Sequence, residues 1–237
     1  MPEYLTVTLA APIAAMGELA IGERRGSWDR PGRSAVLGLL AGCLGLDRAD
    51  EAAHLALERA LGLGLRVEWT GGLLADYHTA QVPRRGRRYA TRAEEVAAPA
   101  LNTVLSRRDY RCDVLAFAAI WLASPARWSL SALAEACRRP HFAPYFGRKS
   151  CPLMLPLAPD ICEAEDAVAA LAACAAAELA RGTAPPRPPR AGPPVVALDA
   201  ALAADRALRV EMRRDRLVSR RRWQFGLREE AVLKGPP

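Results

Sequence analysis

Apolar and polar positions alternate at the start of the chain. In Tyr4-Leu5-Thr6-Val7-Thr8-Leu9, Leu5, Val7 and Leu9 share one face, which predicts a half-buried strand, and Pro12 and Gly17 are expected to end it. Ser34 stands where it can cap a helix over 35–44 that is apolar all round and therefore expected to be buried, with Gly45 as its stop. A second, amphipathic helix is predicted over 52–61, with His54 in a packing role. Alternation returns at Leu65-Arg66-Val67-Glu68-Trp69, a strand with Leu65, Val67 and Trp69 inward, and Gly71-Gly72 turns the chain.

The stretch from Ala80 to Pro99 has little that could be buried and is too long for a tight turn, so it predicts a protruding arm or extended hairpin. The apolar run 112–122 predicts a buried strand, Ser129 or Ser131 caps a short helix through Leu130, Leu133 and Cys137, and Pro140 ends that helix. Pro152 and Pro156 restrict 153–157 to an edge element. Strand, helix, strand, arm, strand, helix and edge strand make a βαββαβ order. The expected class is therefore α+β, with a ferredoxin-like or RRM-like core over 1–181 and an arm inserted at 76–110. A helix over 164–180 follows, then a proline-rich linker over 182–194 and a basic C-terminal extension over 195–237.

Charge sharpens this picture. The chain of 237 residues carries a formal net charge of +7, with 31 Arg against 2 Lys, and an anionic partner follows from that balance. GC-rich coding accounts for arginine replacing lysine but not for where the arginines cluster. They gather at Arg24, Arg25, Arg30 and Arg33 beside Ser34, at Tyr77, His78, Arg84, Arg85, Arg87, Arg88 and Arg92, at Arg107 and Arg108, and over 213–222 beside Trp223 and Phe225. Tyr145-Phe146-Gly147-Arg148-Lys149-Ser150 sets a glycine turn and two cations beside flat aromatic faces, a combination suited to a phosphodiester strand with unstacked bases. An ordinary surface turn with a basic rim is the alternative for that segment. Arg33 and Ser34 at a helix start form a candidate anion site, with a plain capped core helix as the alternative.

Six cysteines at wide, irregular spacing, with no CxxC pair, argue against zinc and for buried free thiols, and no cofactor is expected. Met1-Pro2-Glu3 lacks the basic start of a signal peptide, and no apolar run reaches membrane-spanning length, so a cytoplasmic protein without membrane contact is expected. Catalysis has one weak candidate set. Tyr77, His78 and Lys149 could act as a metal-independent endoribonuclease if folding brought them together.

Taken in order, Arg30-Pro31-Gly32-Arg33-Ser34 with 37–45, Asp76-Tyr77-His78-Thr79, Arg108-Asp109-Tyr110-Arg111-Cys112-Asp113 and 144–153 resemble the type I-E (Cascade) branch of the fifth CRISPR-associated protein family. The family's motif near the first strand survives only as Pro12 and Gly17. The resemblance implies a non-catalytic subunit that caps the 5′ handle of CRISPR RNA in antiviral defence. Its arm would act as a thumb over the RNA, and its neighbours would be the Cascade backbone and large subunits, with target DNA met indirectly. It assigns Tyr77, His78 and the arm arginines to the thumb. Ser34 and its neighbouring arginines, with Tyr145, Gly147, Arg148, Lys149 and Ser150, fall on the handle-binding face. The same resemblance keeps an RNA-processing endoribonuclease as the alternative, through a related subtype.

Overall fold

The computed structural model of the chain describes residues 1–18, 20, 22–84, 88–182 and 192–236. Its nine strands are β1 (Glu3–Ala14), β2 (Arg24–Arg25), β3 (Leu61–Trp69), β4 (Gly72–Pro83), β5 (Leu101–Leu122), β6 (Asp160–Glu163), β7 (Val195–Asp199), β8 (Arg209–Ser219) and β9 (Gln224–Lys234). The helices are α1 (Arg33–Cys43), α2 (Glu51–Ala60), α3 (Arg92–Val96), α4 (Leu130–Arg138), α5 (Ala167–Arg181) and α6 (Ala200–Ala203). The fold is α+β, and nearly all strand pairs are antiparallel. The main sheet runs β6-β1-β5-β3-β7-β9-β8, with β2 and β4 paired to the far half of β5.

The sheet is covered on both faces. Leu5, Val7 and Leu9 of β1 pack with α1, α2 and α4 in one core, while Tyr4 and Ala10 of β1 meet Phe117 and the alanine face of α5 in a second. The polar alternates are therefore inside as well. Thr6 and Thr8 are buried, and Thr8 Oγ1 donates to Glu178 Oε2 of α5 at 3.2 Å. A strand expected to be half-buried is buried twice, and it continues through Pro12 to Ala14. α5 begins where Asp166 accepts from the N–H of Ala169 (2.8 Å) and ends at Gly182, in the left-handed region at φ 65°.

Further boundaries differ from the sequence reading, among them that α2 stops at Ala60 and β3 starts at Leu61. The segment 153–157 is no strand, although Met154 N–H and Leu157 O bond to Ala10 and Thr8 of β1. The regular edge strand is Asp160–Glu163, which pairs with Glu3–Thr6. Three prolines at 152, 156 and 159 break the ladder before it can form. The C-terminal segment is not an extension either. β7 pairs with β3 over Gly64–Val67, and β9 bridges β7 to β8, so this segment completes the sheet. Of the expected linker, 183–191 lies outside the described residues.

Much of the arginine is spent internally. Arg30 is buried and donates through Nε to Glu230 Oε2 (2.7 Å) and through Nη1 to Asp29 (2.9 Å), and it also pairs with Glu211. Arg213 lies 4.3 Å over the ring of Trp28 and reaches Glu230 at 3.4 Å. Arg228 grips Asp215 with two bonds, 2.7 and 3.0 Å. Burial pushes the Arg213 guanidinium down in pKa against the pull of Glu230. At Arg228 burial acts the same way, but Asp215 and Glu230 overcome it and raise the pKa.

His54 is buried on α2, its Nε2 3.2 Å from the carbonyl of Asp47. Burial first, then the charge of Arg220, lowers its pKa below the ordinary imidazole value. The unfolded chain then binds a proton that the folded one refuses, so stability is lost as pH falls through about 6.5 toward the lower folded value. Thermal melts at about pH 7.5 and about pH 5.5 should show a larger drop for the wild type than for His54→Asn. Equal drops would remove His54 as the source.

Candidate nucleic-acid interface

β3 and β4 lie along the same edge of β5, so the three strands form one long hairpin. Its lower half belongs to the sheet. Above Gly71 (φ 73°) it leaves the sheet as a ribbon of β4 against the 101–112 half of β5. An alanine at Gly71 would set its Cβ 1.9 Å from the carbonyl oxygen of Cys112, so this exit needs glycine. The ribbon is exposed along nearly its whole length, including Leu73, Tyr77 and Val104. Arm and following strand, read separately from sequence, are one strand of 22 residues that passes through Asp113 at φ 59°.

The base of the ribbon gathers candidate residues in rungs. Arg24, Arg107 and Tyr77 stand side by side across β2, β5 and β4, and the next rung is Arg25, Arg108 and Asp76. Strand alternation sends these rungs to opposite faces. On the first face Asp109, buried, receives Arg24 through Nε and Nη2 (3.3 and 3.2 Å) and Arg107 through Nε (3.3 Å). Both guanidiniums keep more than half of their side-chain surface exposed, at 63% and 54%. Asp109 thus aims two cations outward.

On the second face Arg25, Arg108, Tyr110 and Arg148 converge. Arg148 lies 4.6 Å over the Tyr110 ring and donates to the Arg25 carbonyl at 3.4 Å, and its Nη1 is buried without a partner. Arg148 comes from a tight turn. Tyr145 bridges Pro152, Phe146 N–H donates to Cys151 O, and Cys151 N–H donates to Arg148 O, both at 2.8 Å. Phe146 and Cys151 are buried anchors, which leaves Lys149 and Ser150 exposed at the tip and Tyr145 half exposed. The freedom of Gly147 serves the chain itself rather than a ligand. At φ 91° its missing Cβ makes room for the Ala15 carbonyl oxygen, which would lie 1.7 Å away.

Arg30 and Arg33 leave this interface. Arg30 is locked in the ion cluster, and Arg33 donates to Glu58 Oε1 (2.7 Å) and to the carbonyls of Glu58 and Leu61. The expected cap also changes. Gly32, not Ser34, holds the N-cap position, and the Arg33 N–H donates to Asp215 Oδ2 at 2.7 Å. The anion at the start of α1 is the chain's own Asp215, and Ser34 sits inside the helix. Arg84 and Arg88 are exposed toward the arm tip, and Arg85 and Arg87 lie outside the described residues. Arg92 pairs with Glu95 at 2.7 Å and is not free for a ligand. His78 pairs with Asp76, and alternation sends Tyr77 to the opposite face, so adjacent residues of the nuclease candidate set diverge.

Sequence reading passed over Asp109 and Tyr110 as positioning residues. Their signal was the alternation of Arg107-Arg108-Asp109-Tyr110, which sets Asp109 on the face of Arg107 and Tyr110 on the face of Arg108. Among the described residues no three His, Cys, Asp or Glu side chains converge to hold a metal, and no helix is long and apolar enough to cross a membrane.

A family model described as CRISPR-associated protein (Cas_Cas5) matches residues 4–229. The chain belongs to this Cas5 family. Among curated relatives, "CRISPR system Cascade subunit CasD" of Escherichia coli (strain K12) is 35% identical over 181 residues, covering 72% of this chain and 76% of the relative. Among solved structures, a chain of a "CRISPR RNA-guided surveillance complex" superposes with a TM-score of 0.65 at 22% identity, covering 98% of this Cas5 chain and 90% of the other. A "Crystal structure of Cas protein" gives a TM-score of 0.55 at 24% identity, covering 99% and 100%. At these identities the two structures speak for a shared fold.

Proposed function

We propose that this Cas5 protein is a non-catalytic, CRISPR RNA-binding subunit of a type I-E Cascade complex that caps the 5′ handle of the guide RNA. Its β6-β1-β5-β3 order corresponds to the strand arrangement of a ferredoxin-like core, and the exposed ribbon is its thumb. The observation that carries the reading is the convergence of Arg25, Arg108 and Arg148 at the ribbon base, with Lys149 exposed next to Arg148 on the turn. They come from three separate segments and, among the described residues, none forms an ion pair. Unpaired guanidiniums suit phosphates, and exposed Tyr145 on the same turn offers a face for a splayed base. The CasD relative is named as a Cascade subunit, which supports the same role, with backbone and large subunits as neighbours.

The test is incubation with end-labelled repeat RNA in EDTA across several salt concentrations. A salt-sensitive shift without cleavage is expected. Arg148→Ala with Lys149→Ala should weaken it about tenfold and reduce the log–log salt slope by about 1.4, two single-strand phosphate contacts at about 0.7 each. An unchanged slope would take the turn out of the interface. A single specific cut abolished by His78→Ala would instead make the protein a processing nuclease.

A further inference from the structure

We propose that the turn joining β8 to β9 is a second contact for the RNA phosphate backbone, built on an indole that carries two guanidiniums. The inference rests on the RNA-binding reading above and extends it to residues that reading does not use. Trp223 sits in this turn in the left-handed region (φ 57°) with about half of its surface exposed. Arg48, from the loop before α2, lies 4.5 Å from the ring centroid and Arg220 lies 4.2 Å from it, while Phe225 meets the indole edge-on at 5.6 Å. Arg221 and Arg222 follow Arg220 directly and are exposed.

Four guanidiniums therefore crowd one turn, and among the described residues none has a carboxylate partner. Acids are near, but each has one oxygen held by a backbone donor, and none pairs with these guanidiniums. Asp47 accepts from Ala49 N–H (2.8 Å), Asp50 from Ala53 N–H (3.0 Å) and Glu51 from Arg221 N–H (2.7 Å). Arg220 keeps a buried Nε without an acceptor. Burial and the charge of Arg48 both work against its protonation. A cation cluster held this way is relieved by an anion with several oxygens, and a phosphodiester offers a fork-shaped match to each guanidinium.

Position selects RNA over an acidic protein face. The chain leading into the 145–150 turn lies on the end of α1, where His141 N–H and Phe142 N–H donate to the carbonyls of Cys43 and Gly42 (3.0 and 3.2 Å), and Arg48 stands in the loop that follows α1, so the indole cluster and that turn gather at the same helix end. A strand gripped by Arg25, Arg148 and Lys149 would continue toward Arg220–Arg222, and exposed Tyr145 offers a face for stacking on the way.

The experiment compares repeat-RNA binding over a salt series. Arg221→Ala with Arg222→Ala leaves the indole stack in place and should lower the log–log slope by about 1.4 and weaken binding about tenfold, with Arg48→Ala adding to the loss. Arg138→Ala with Arg139→Ala removes the same charge at the end of α4, where both pair with Glu135, and should leave the slope nearly unchanged. Equal slopes for both double variants, or no change in the first, would overturn the inference. If Arg148→Ala with Lys149→Ala loses binding while the turn variants do not, only this inference falls and the turn faces a protein neighbour. Failure of the wild type to bind repeat RNA would sink both readings.

Discussion

Glu230→Ala is expected to be among the most damaging single substitutions away from the two apolar cores. The Glu230 carboxylate is 1% exposed and holds Arg30 at 2.7 Å and Arg213 at 3.4 Å, with Arg228 also paired to it. Its removal leaves three guanidiniums with fewer buried counter-charges. Breaking one member of such a buried set costs about 3–5 kcal/mol, which in a chain of this size corresponds to a melting temperature lower by about 10 °C. Arg30 leads directly back to the β2 strand through 26–29, so the ribbon base should loosen as well. Thermal unfolding followed by circular dichroism checks the first effect. A loss under about 1 kcal/mol would mean that water reaches the cluster and screens it.

Gly147→Ala carries the second large effect, and here no charge is lost. The added Cβ would fall 1.7 Å from the Ala15 carbonyl oxygen, at a φ of 91° that L side chains rarely adopt. Strain at such a position costs about 1–3 kcal/mol before the clash is counted. The turn must shift, and the Phe146–Ala15 backbone bond (3.1 Å) with it. Arg148 would then leave the Tyr110 ring. RNA affinity should fall about tenfold, as for Arg148→Ala with Lys149→Ala, while the circular dichroism spectrum keeps its native form. Unchanged RNA binding would separate the position of this turn from the interface.

The same residues mark how far the sequence could be read. The strands at Leu5 and Leu65 were legible because alternation at a period of 2 reflects local geometry, and the helix over 35–44 and the strand at Val114 because an uninterrupted apolar run must be buried. The ribbon was legible from its lack of anything to bury. On β8 the same logic points the wrong way. Val210, Met212 and Val218 stand exposed, whereas Arg213 and Asp215 are buried. Alternation reports two faces but not which one is inward when charges on one face neutralise each other. The partners that decide this, Arg30 with Glu230 and Arg33 with Asp215, stand 200 and 182 residues apart. No local window contains both ends of such a pair.

Local pattern alone thus determined the α+β class, most element positions, the protruding basic ribbon and the glycine turn at 145–151. The tertiary structure decided which arginines are free. A guanidinium's availability depends on whether a carboxylate meets it, and that meeting is made by strand order. Adding β7, β9 and β8 to the sheet carries Glu211, Asp215 and Glu230 to the start of α1, where they bury Arg30 and bind the N–H of Arg33. Among the described residues no carboxylate pairs with Arg25, Arg108 or Arg148, and Asp76, which β4 sets opposite Arg108, is paired with His78. These cations therefore remain open to an external phosphate, while their equally basic neighbours hold the fold together.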